Sequence, residues 1–178
     1  MATERKPERK MGPEAMKELY IKLGTPGAPH ALLSRMAGSW NTKTKSWEPG
    51  MPPEESSGTC EQKMILGGRV LQQECTGEWM GGAFNGIGFT GYDNNTKKFV
   101  STWMDSMGTA IYYFEGPIDK DGKGFTQRSR YDDPVKGPTE WRSTCRLVDD
   151  NTVTFEMYGT PVGGKEEKMM EMTYTRKQ

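Results

Sequence analysis

The sequence has few of the residues from which reactive sites are usually built. It contains one histidine, His30, and three cysteines, with no Cys-x-x-Cys pair. Histidine-dependent zinc or haem sites and catalytic triads would all depend on this single residue, which follows a Pro- and Gly-rich linker. We therefore expect His30 to have a capping or packing role, and we expect no metal and no other cofactor.

An excess of charge of either sign is also lacking. The 178 residues include 24 Lys plus Arg and 24 Asp plus Glu. A chain without net positive charge is not drawn to phosphate backbones or anionic lipid, so we expect no nucleic-acid and no membrane partner. The first ten residues carry charges of both signs and no apolar segment. This pattern differs from a signal peptide or a membrane anchor and favours a cytoplasmic protein.

Length and local pattern indicate one domain after a short N-terminal region. We expect residues 1–29 to form a charged tail, a short helix that starts at Pro13, and a linker. Residues 30–178 are expected to form the domain. It would begin with one or two helical turns from His30 to Ala37, with Leu32, Leu33 and Met36 packing inward.

From Trp40 onward the apolar pattern changes from helical to alternating, which is typical of β-strands. Ten strands are expected: Trp40–Trp47, Thr59–Leu66, Arg69–Trp79, Phe84–Tyr92, Lys98–Asp105, Thr109–Gly116, Gly124–Tyr131, Glu140–Val148, Thr152–Tyr158 and Glu167–Arg176. Turn residues such as Gly67-Gly68 separate them. This regular spacing predicts an all-β fold, a single antiparallel up-and-down β-barrel of about ten strands with a short N-terminal helical segment.

The Gly67-Gly68 pair predicts the register of one hairpin, because it forms the two-residue loop expected between Leu66 and Arg69. The resulting register pairs three sets of residues on the expected inner face: Met64 with Leu71, Gln62 with Gln73, and Cys60 with Cys75. A disulfide between the two cysteines is geometrically feasible, but a reducing cytoplasm disfavours it. We expect two buried free thiols.

Polar residues on the inner face point to a ligand or to internal pairing. Buried amides at Gln62 and Gln73 would each cost about 1–3 kcal/mol if they were left unpaired. They can bond to each other with trapped water, or to a ligand, and both alternatives stay open. Asp105 ends its strand, where a carboxylate either accepts a hydrogen bond from a ligand or caps the turn; we favour the cap.

An internal cavity is expected because ten strands enclose more space than the eight that already hold a small ligand in some families. Adaptable methionines suit a cavity for apolar molecules, although ordinary core filling is the alternative. The expected ligand-binding residues are Gln62, Met64, Leu71, Gln73, Trp103, Asp105, Tyr112, Phe114, Phe155 and Met157.

The segment from Gly86 to Gly91 spells the G-x-G-x-x-G pattern of dinucleotide-binding proteins. That function requires a helix directly after the glycines, whereas a turn at Asp93 follows here. We interpret the glycines as sites where the strand bends or another backbone approaches closely.

The order of these motifs resembles the bacterial lipocalin-like family known as domain of unknown function 1579. The matching elements, from about His30 to Arg176, are His30 and Leu33 before Gly38-x-Trp40, Gly67-Gly68-Arg69, Gly86-x-Gly88-x-x-Gly91-Tyr92-Asp93, Trp103-x-Asp105-Ser106 and Tyr174-x-Arg176. The family is similar to the calycin superfamily of ligand-binding barrels. The resemblance implies that Arg176 stacks on Trp40 as a structural contact, and it implies no substrate and no catalytic residue.

Three hypotheses for function follow. The first is an intracellular binding protein that holds a small apolar or amphipathic molecule inside the barrel. The alternative is a cofactor-free enzyme that acts through Asp105, Tyr92 or Arg69 as acid, base or anion holder. The third is an interaction module whose N-terminal tail and helix dock a partner. Aromatic residues such as Trp47 and Trp79 are compatible with a homo-oligomer.

Overall fold

The structure is a computed structural model that describes residues 11–178, so the charged tail expected over the first ten residues lies outside it. Two helices come first, α1 (Pro13–Gly24) and α2 (Ala28–Met36). Each has a proline in its first two positions. A backbone N–H there has no acceptor within the helix, so the N–H that proline lacks costs no hydrogen bond. Helix α2 therefore begins two residues before the boundary expected at residue 30.

Ten strands follow the helices. They are β1 (Gly38–Ser46), β2 (Glu54–Ile65), β3 (Val70–Trp79), β4 (Gly82–Asp93), β5 (Lys98–Asp105), β6 (Tyr112–Gly116), β7 (Gly124–Asp133), β8 (Gly137–Asp149), β9 (Thr152–Pro161) and β10 (Glu167–Arg176). Each strand pairs antiparallel with its neighbours in sequence, and β10 pairs with β1 to close the barrel. The predicted ten-stranded up-and-down barrel is confirmed.

Six strands start at residues other than those expected, and β2 and β6 are two of them. Strand β2 starts at Glu54 and not at Thr59, because Glu54–Gly58 pairs along the second half of β1. This segment lacks the alternating apolar residues that predict a strand. Strand β6 starts at Tyr112 and not at Thr109, since the three preceding residues belong to the loop.

The β2–β3 hairpin has the predicted register, which pairs Met64 with Leu71, Gln62 with Gln73 and Cys60 with Cys75. Its loop has four residues, Leu66 to Arg69, and not the expected two. Leu66 joins Gly67 and Gly68 at positive φ, and the Arg69 N–H donates to the Ile65 carbonyl at 3.2 Å. The loop is one residue longer on each side, so the register is unchanged.

Cys60 and Cys75 form a disulfide, which corrects the expectation of two free thiols. Their Cα atoms are 4.0 Å apart, and both side chains are buried on the inner face. Side chains approach most closely at such narrow antiparallel pairs. The expectation depended on the redox state of the compartment, whereas the register alone places the two sulfurs within bonding distance.

Helix α2 covers one end of the barrel, where it contacts β2, β3, β4 and β8. Trp40 is fully buried there, and its Nε1 donates to the Met36 carbonyl at 2.9 Å. The Arg176 guanidinium stacks on the Trp40 ring, as the family resemblance implied. It also donates to the carbonyls of Arg35 and Ala37, both at 2.8 Å. These contacts fix the helix over the barrel and close that end.

His30 has the predicted capping and packing role. Its Nδ1 accepts a hydrogen bond from the Gly27 N–H at 3.0 Å, which caps the first turn of α2. The ring is buried and lies edge-on to Tyr92, with 5.9 Å between ring centres. Burial lowers the pKa of this imidazole, and the Arg69 charge acts in the same direction.

Candidate functional site: the barrel cavity

The barrel encloses a cavity of about 260 Å³ above the α2 cover, with Met36 among its lining residues. Ligand pockets in proteins usually have volumes of about 300–1,000 Å³, and this cavity is close to the lower limit of that range. Its volume therefore suits a small molecule. Four methionines and eight aromatic residues line it. The aromatic residues are Phe84, Trp103, Tyr112, Phe114, Phe125, Trp141, Phe155 and Tyr174. The wall is therefore mainly apolar and, at the methionines, adaptable.

Nine of the ten predicted ligand-binding residues line this cavity. They are Gln62, Leu71, Gln73, Trp103, Asp105, Tyr112, Phe114, Phe155 and Met157. Met64 is the exception, and it packs against the buried core instead. It lies one residue before the end of β2, on a strand that α2 contacts, so its side chain fills space beneath the helix.

Sequence reasoning missed the contribution of β7 and β8. Phe125 and Gln127 from β7, and Trp141, Ser143 and Cys145 from β8, all line the cavity. Apolar and polar residues alternate along both strands, and this alternation was the signal from which the inward face could have been predicted. Neither strand offered a fixed starting point for the register, because no two-residue turn connects β7 to β8.

Gly86 and Gly88 of β4 make room for a side chain that the sequence did not indicate, and a Cβ at Gly88 would also lie 3.2 Å from the backbone Thr102 O, in keeping with the close backbone approach expected from the sequence. Gly88 is paired with Trp103 of β5, and a Cβ at Gly88 would lie 2.7 Å from Trp103 Cε3. Gly86 is in similarly close contact with the same indole. The Trp103 ring therefore lies against β4, and it is nearly parallel to the ring of Phe84 from the same strand, with 6.4 Å between ring centres.

Asp105 has the capping role favoured from the sequence. Its Oδ1 accepts a hydrogen bond from the Met107 N–H at 3.0 Å, which caps the turn after β5. Its Oδ2 accepts one from Trp103 Nε1 at 2.9 Å, and the side chain lines the cavity. The carboxylate thus positions the indole in the wall.

Of the three residues considered for an enzyme, only Asp105 lines the cavity. Arg69 lies at the β2–β3 hairpin and donates to the Gly24 carbonyl at 2.9 Å, which holds the end of α1. Tyr92 packs between His30 and Phe99. Neither residue is placed to contact a molecule in the barrel.

Three other titratable groups in the wall, Tyr112, Cys145 and Tyr174, are held in their neutral forms, because burial raises the pKa of each. Burial and the neighbouring Tyr131 phenol together raise the pKa of Tyr112 to about 12. Burial also raises the pKa of the Cys145 thiol to about 12. A phenol and a thiol with such pKa values supply neither a base nor a nucleophile at neutral pH.

Three buried polar atoms in the wall have no hydrogen-bond partner among residues 11–178. They are Gln62 Oε1, Gln127 Nε2 and Trp141 Nε1. Their residues are 5%, 3% and 7% exposed. Gln127 is otherwise held in place, because its Oε1 accepts a bond from Ser101 Oγ at 2.9 Å. Buried polar groups are nearly always paired, so these three atoms are exceptional among the groups of the wall.

The end of the barrel opposite α2 has an apolar rim. Five connections meet there, since alternate connections of an up-and-down barrel lie at the same end. Each carries an exposed apolar side chain, in chain order Met51, Met80, Ile111, Val135 and Val162. Apolar groups around the mouth of an apolar cavity are suited to the entry of an apolar molecule.

A larger depression of about 660 Å³ lies on the outside of the barrel, along β1, β2 and β10. Its lining is polar and charged, and some of the charges are paired, as Lys45 is with Glu55 at 3.2 Å. An open surface of this kind favours water over an organic ligand. The interior cavity is the better candidate site.

Residues 11–178 contain neither a cluster of metal-binding side chains nor a helix that could span a membrane. No three side chains of His, Cys, Asp or Glu are grouped in a way that would hold a metal ion. No helix in this part of the chain is both long enough and apolar enough to cross a membrane.

A family model described as a protein of unknown function, DUF1579, matches residues 25–176. The chain belongs to this family. The match includes all the motifs on which the resemblance was based, from His30 to Arg176, together with the whole barrel. A search of curated proteins found no match.

Two solved structures have a fold similar to that of this DUF1579 protein. Rv2717c from M. tuberculosis superposes with a TM-score of 0.65 at 12% identity, over 86% of this chain and 100% of its own. The S-type phycobiliprotein lyase CPES from Guillardia theta gives 0.59 at 13% identity, over 83% and 92% respectively. At these identities the likeness shows a shared lipocalin-like fold.

Proposed function

We propose that this DUF1579 protein is a binding protein that holds a small, mostly apolar molecule inside its barrel. The observation that carries the proposal is the cavity of about 260 Å³ with its wall of aromatic rings and methionines. Moving apolar surface from water into such a wall yields about 25 cal/mol per Å². The apolar rim supplies an entrance that matches this interior.

The electrostatics of the wall also support binding over catalysis. Tyr112 and Cys145 stay neutral at physiological pH, and both carboxylate oxygens of Asp105 already accept hydrogen bonds. A phycobiliprotein lyase of similar fold shows that such barrels host more than one function. The proposal therefore rests on the cavity of this chain and not on the fold.

The first test is to purify the protein gently from its native host and to record its native mass spectrum. We expect a stoichiometric small molecule that is released on denaturation and has mainly apolar character. An empty protein that also fails to bind naphthalene in calorimetry would contradict the proposal.

A cavity-filling variant makes this test specific to the interior. Met157 faces the cavity from β9, and Thr154 lies on the outer face of the same strand. Met157→Trp should abolish binding of naphthalene, because the added ring occupies the space. Thr154→Trp introduces the same side chain outside the barrel and should leave binding unchanged. Equal loss in both variants would mean that the effect is not due to occupation of the cavity.

A further inference from the structure

The three unpartnered polar atoms of the wall are arranged in two groups on opposite sides of the barrel. Gln62 belongs to β2 and Gln127 to β7, which are five strands apart in either direction around the ten-stranded ring. Trp141 lies on β8 beside Gln127, because Gln127 is paired with Ser143, two residues along the same face. Diagonal neighbours of this kind are within about 8 Å of each other.

The chemistry of the two groups is complementary. Gln62 Oε1 is an acceptor and requires a donor. Gln127 Nε2 and Trp141 Nε1 are donors and require an acceptor. Ser101 holds the Gln127 amide in this orientation, since the Ser101 hydroxyl is in turn hydrogen-bonded to Thr90 Oγ1 at 2.9 Å.

The charge of the wall restricts the ligand further. None of the described residues that line the cavity is a lysine or an arginine. A carboxylate or phosphate group would therefore be buried without a counter-ion, which is strongly unfavourable. The only carboxylate in the lining, Asp105, is stabilised by a protein hydrogen bond at each oxygen, so the site does not depend on a bound cation there.

We propose that the ligand is an uncharged, mostly apolar molecule with a hydrogen-bond donor at one end and an acceptor at the other. Gln62 binds the donor, and Gln127 and Trp141 bind the acceptor. A hydroxyl and a carbonyl joined by a rigid apolar body represent this class. The inference rests on the proposed function, because it names the substrate class of the same cavity.

A matched series of naphthalenes tests the inference by calorimetry. 6-Acetyl-2-naphthol carries both groups at opposite ends, 2-acetylnaphthalene lacks the donor, and naphthalene lacks both. 6-Hydroxy-2-naphthoate and 2-naphthylmethylammonium carry opposite charges. We expect the naphthol ketone to bind about tenfold more tightly than naphthalene, since each net hydrogen bond contributes a few-fold. Both ions should bind more weakly than the naphthol ketone.

Two variants assign the groups to their partners. Gln62→Leu should remove the advantage of 6-acetyl-2-naphthol over 2-acetylnaphthalene. Trp141→Phe keeps the ring but loses the N–H, so it should reduce the advantage of 2-acetylnaphthalene over naphthalene. Gln72→Leu is the control, because Gln72 points away from the interior and bonds to Glu74. It should leave every ratio unchanged.

Thermal unfolding without ligand gives a second readout. Gln62→Leu removes a buried acceptor that has no partner in the protein, so the variant should melt at the same temperature as the parent or higher. A merely structural glutamine would lower the melting temperature when replaced. Such a drop would overturn the role assigned to Gln62.

The outcomes separate the inference from the proposed function. If no member of the series binds, the proposed function fails, and the inference fails with it. If naphthalene binds as tightly as the naphthol ketone, the binding function stands and the ligand class is overturned. Tighter binding of either ion than of the naphthol ketone would overturn the uncharged class alone.

Discussion

The guanidinium carbon of Arg176 lies 4.2 Å from the ring centre of Trp40, to which Arg176 is also paired across β1 and β10. The same guanidinium donates to three backbone carbonyls, those of Arg35, Ala37 and Asp150. One side chain thus connects the α2 cover, the first and last strands and the β8–β9 turn.

Arg176→Ala should lower the free energy of unfolding by about 2 kcal/mol, since a stacked cation and charge-assisted hydrogen bonds are lost together. Arg176→Lys should recover only part of this loss, because an ammonium lacks the planar fork of donors. Urea denaturation measures both. Arg130→Ala, at an exposed position on β7, is the control. Equal stability of the Arg176→Ala variant and the parent would show that the contact does not hold the closed end.

Gly88→Ala should destabilise the protein by about 1–3 kcal/mol, because its Cβ would force the Trp103 indole out of the wall. Near-UV circular dichroism should report the displaced ring. Gly91→Ala on the same strand is the matched control, since its Cβ would lie 3.5 Å from the nearest atom, an ordinary contact. Identical spectra and stability for Gly88→Ala and the parent would contradict the packing described for Trp103.

Reduction of the Cys60–Cys75 disulfide should lower the free energy of unfolding by about 3 kcal/mol, the value for a closed loop of about 15 residues. Urea denaturation with and without dithiothreitol measures this difference. A variant with alanine at both cysteines should not respond to the reductant. Three alkylatable thiols in the unfolded, unreduced protein would show that the bond does not form.

Stability should decline as the pH falls below about 6.5, because burial lowers the pKa of His30 below that ordinary value. The folded protein then binds fewer protons than the unfolded chain, so acid favours unfolding. This contribution is complete above pH 6.5 and is lost as the pH falls through the folded-state pKa. His30→Gln should flatten the dependence in urea denaturation. An unchanged slope in this variant would assign the effect to another group.

Much of the fold was predictable from the sequence, because the signals are local. Alternating side chains and positive-φ turn residues predicted ten antiparallel strands, and the Gly67-Gly68 pair predicted the β2–β3 register even though its loop is longer. That register placed Gln62, Leu71 and Gln73 on the inner face, and the other six cavity residues were chosen from alternation within their own strands. Successive side chains of a strand point to opposite faces, so one correctly paired set of residues determines which face of that hairpin is inside the barrel.

Tertiary structure alone decided which polar atoms are left without partners and which glycines accommodate Trp103. Gln62 could have bonded to Gln73, and only the assembled barrel shows that its Oε1 has no partner while Gln127 and Trp141 face it from the opposite wall. Met64 was indistinguishable from Met157 by pattern, yet α2 covers the end of the barrel near Met64. These outcomes depend on contacts between strands that are far apart in sequence, and no local pattern encodes how side chains from opposite walls share one interior.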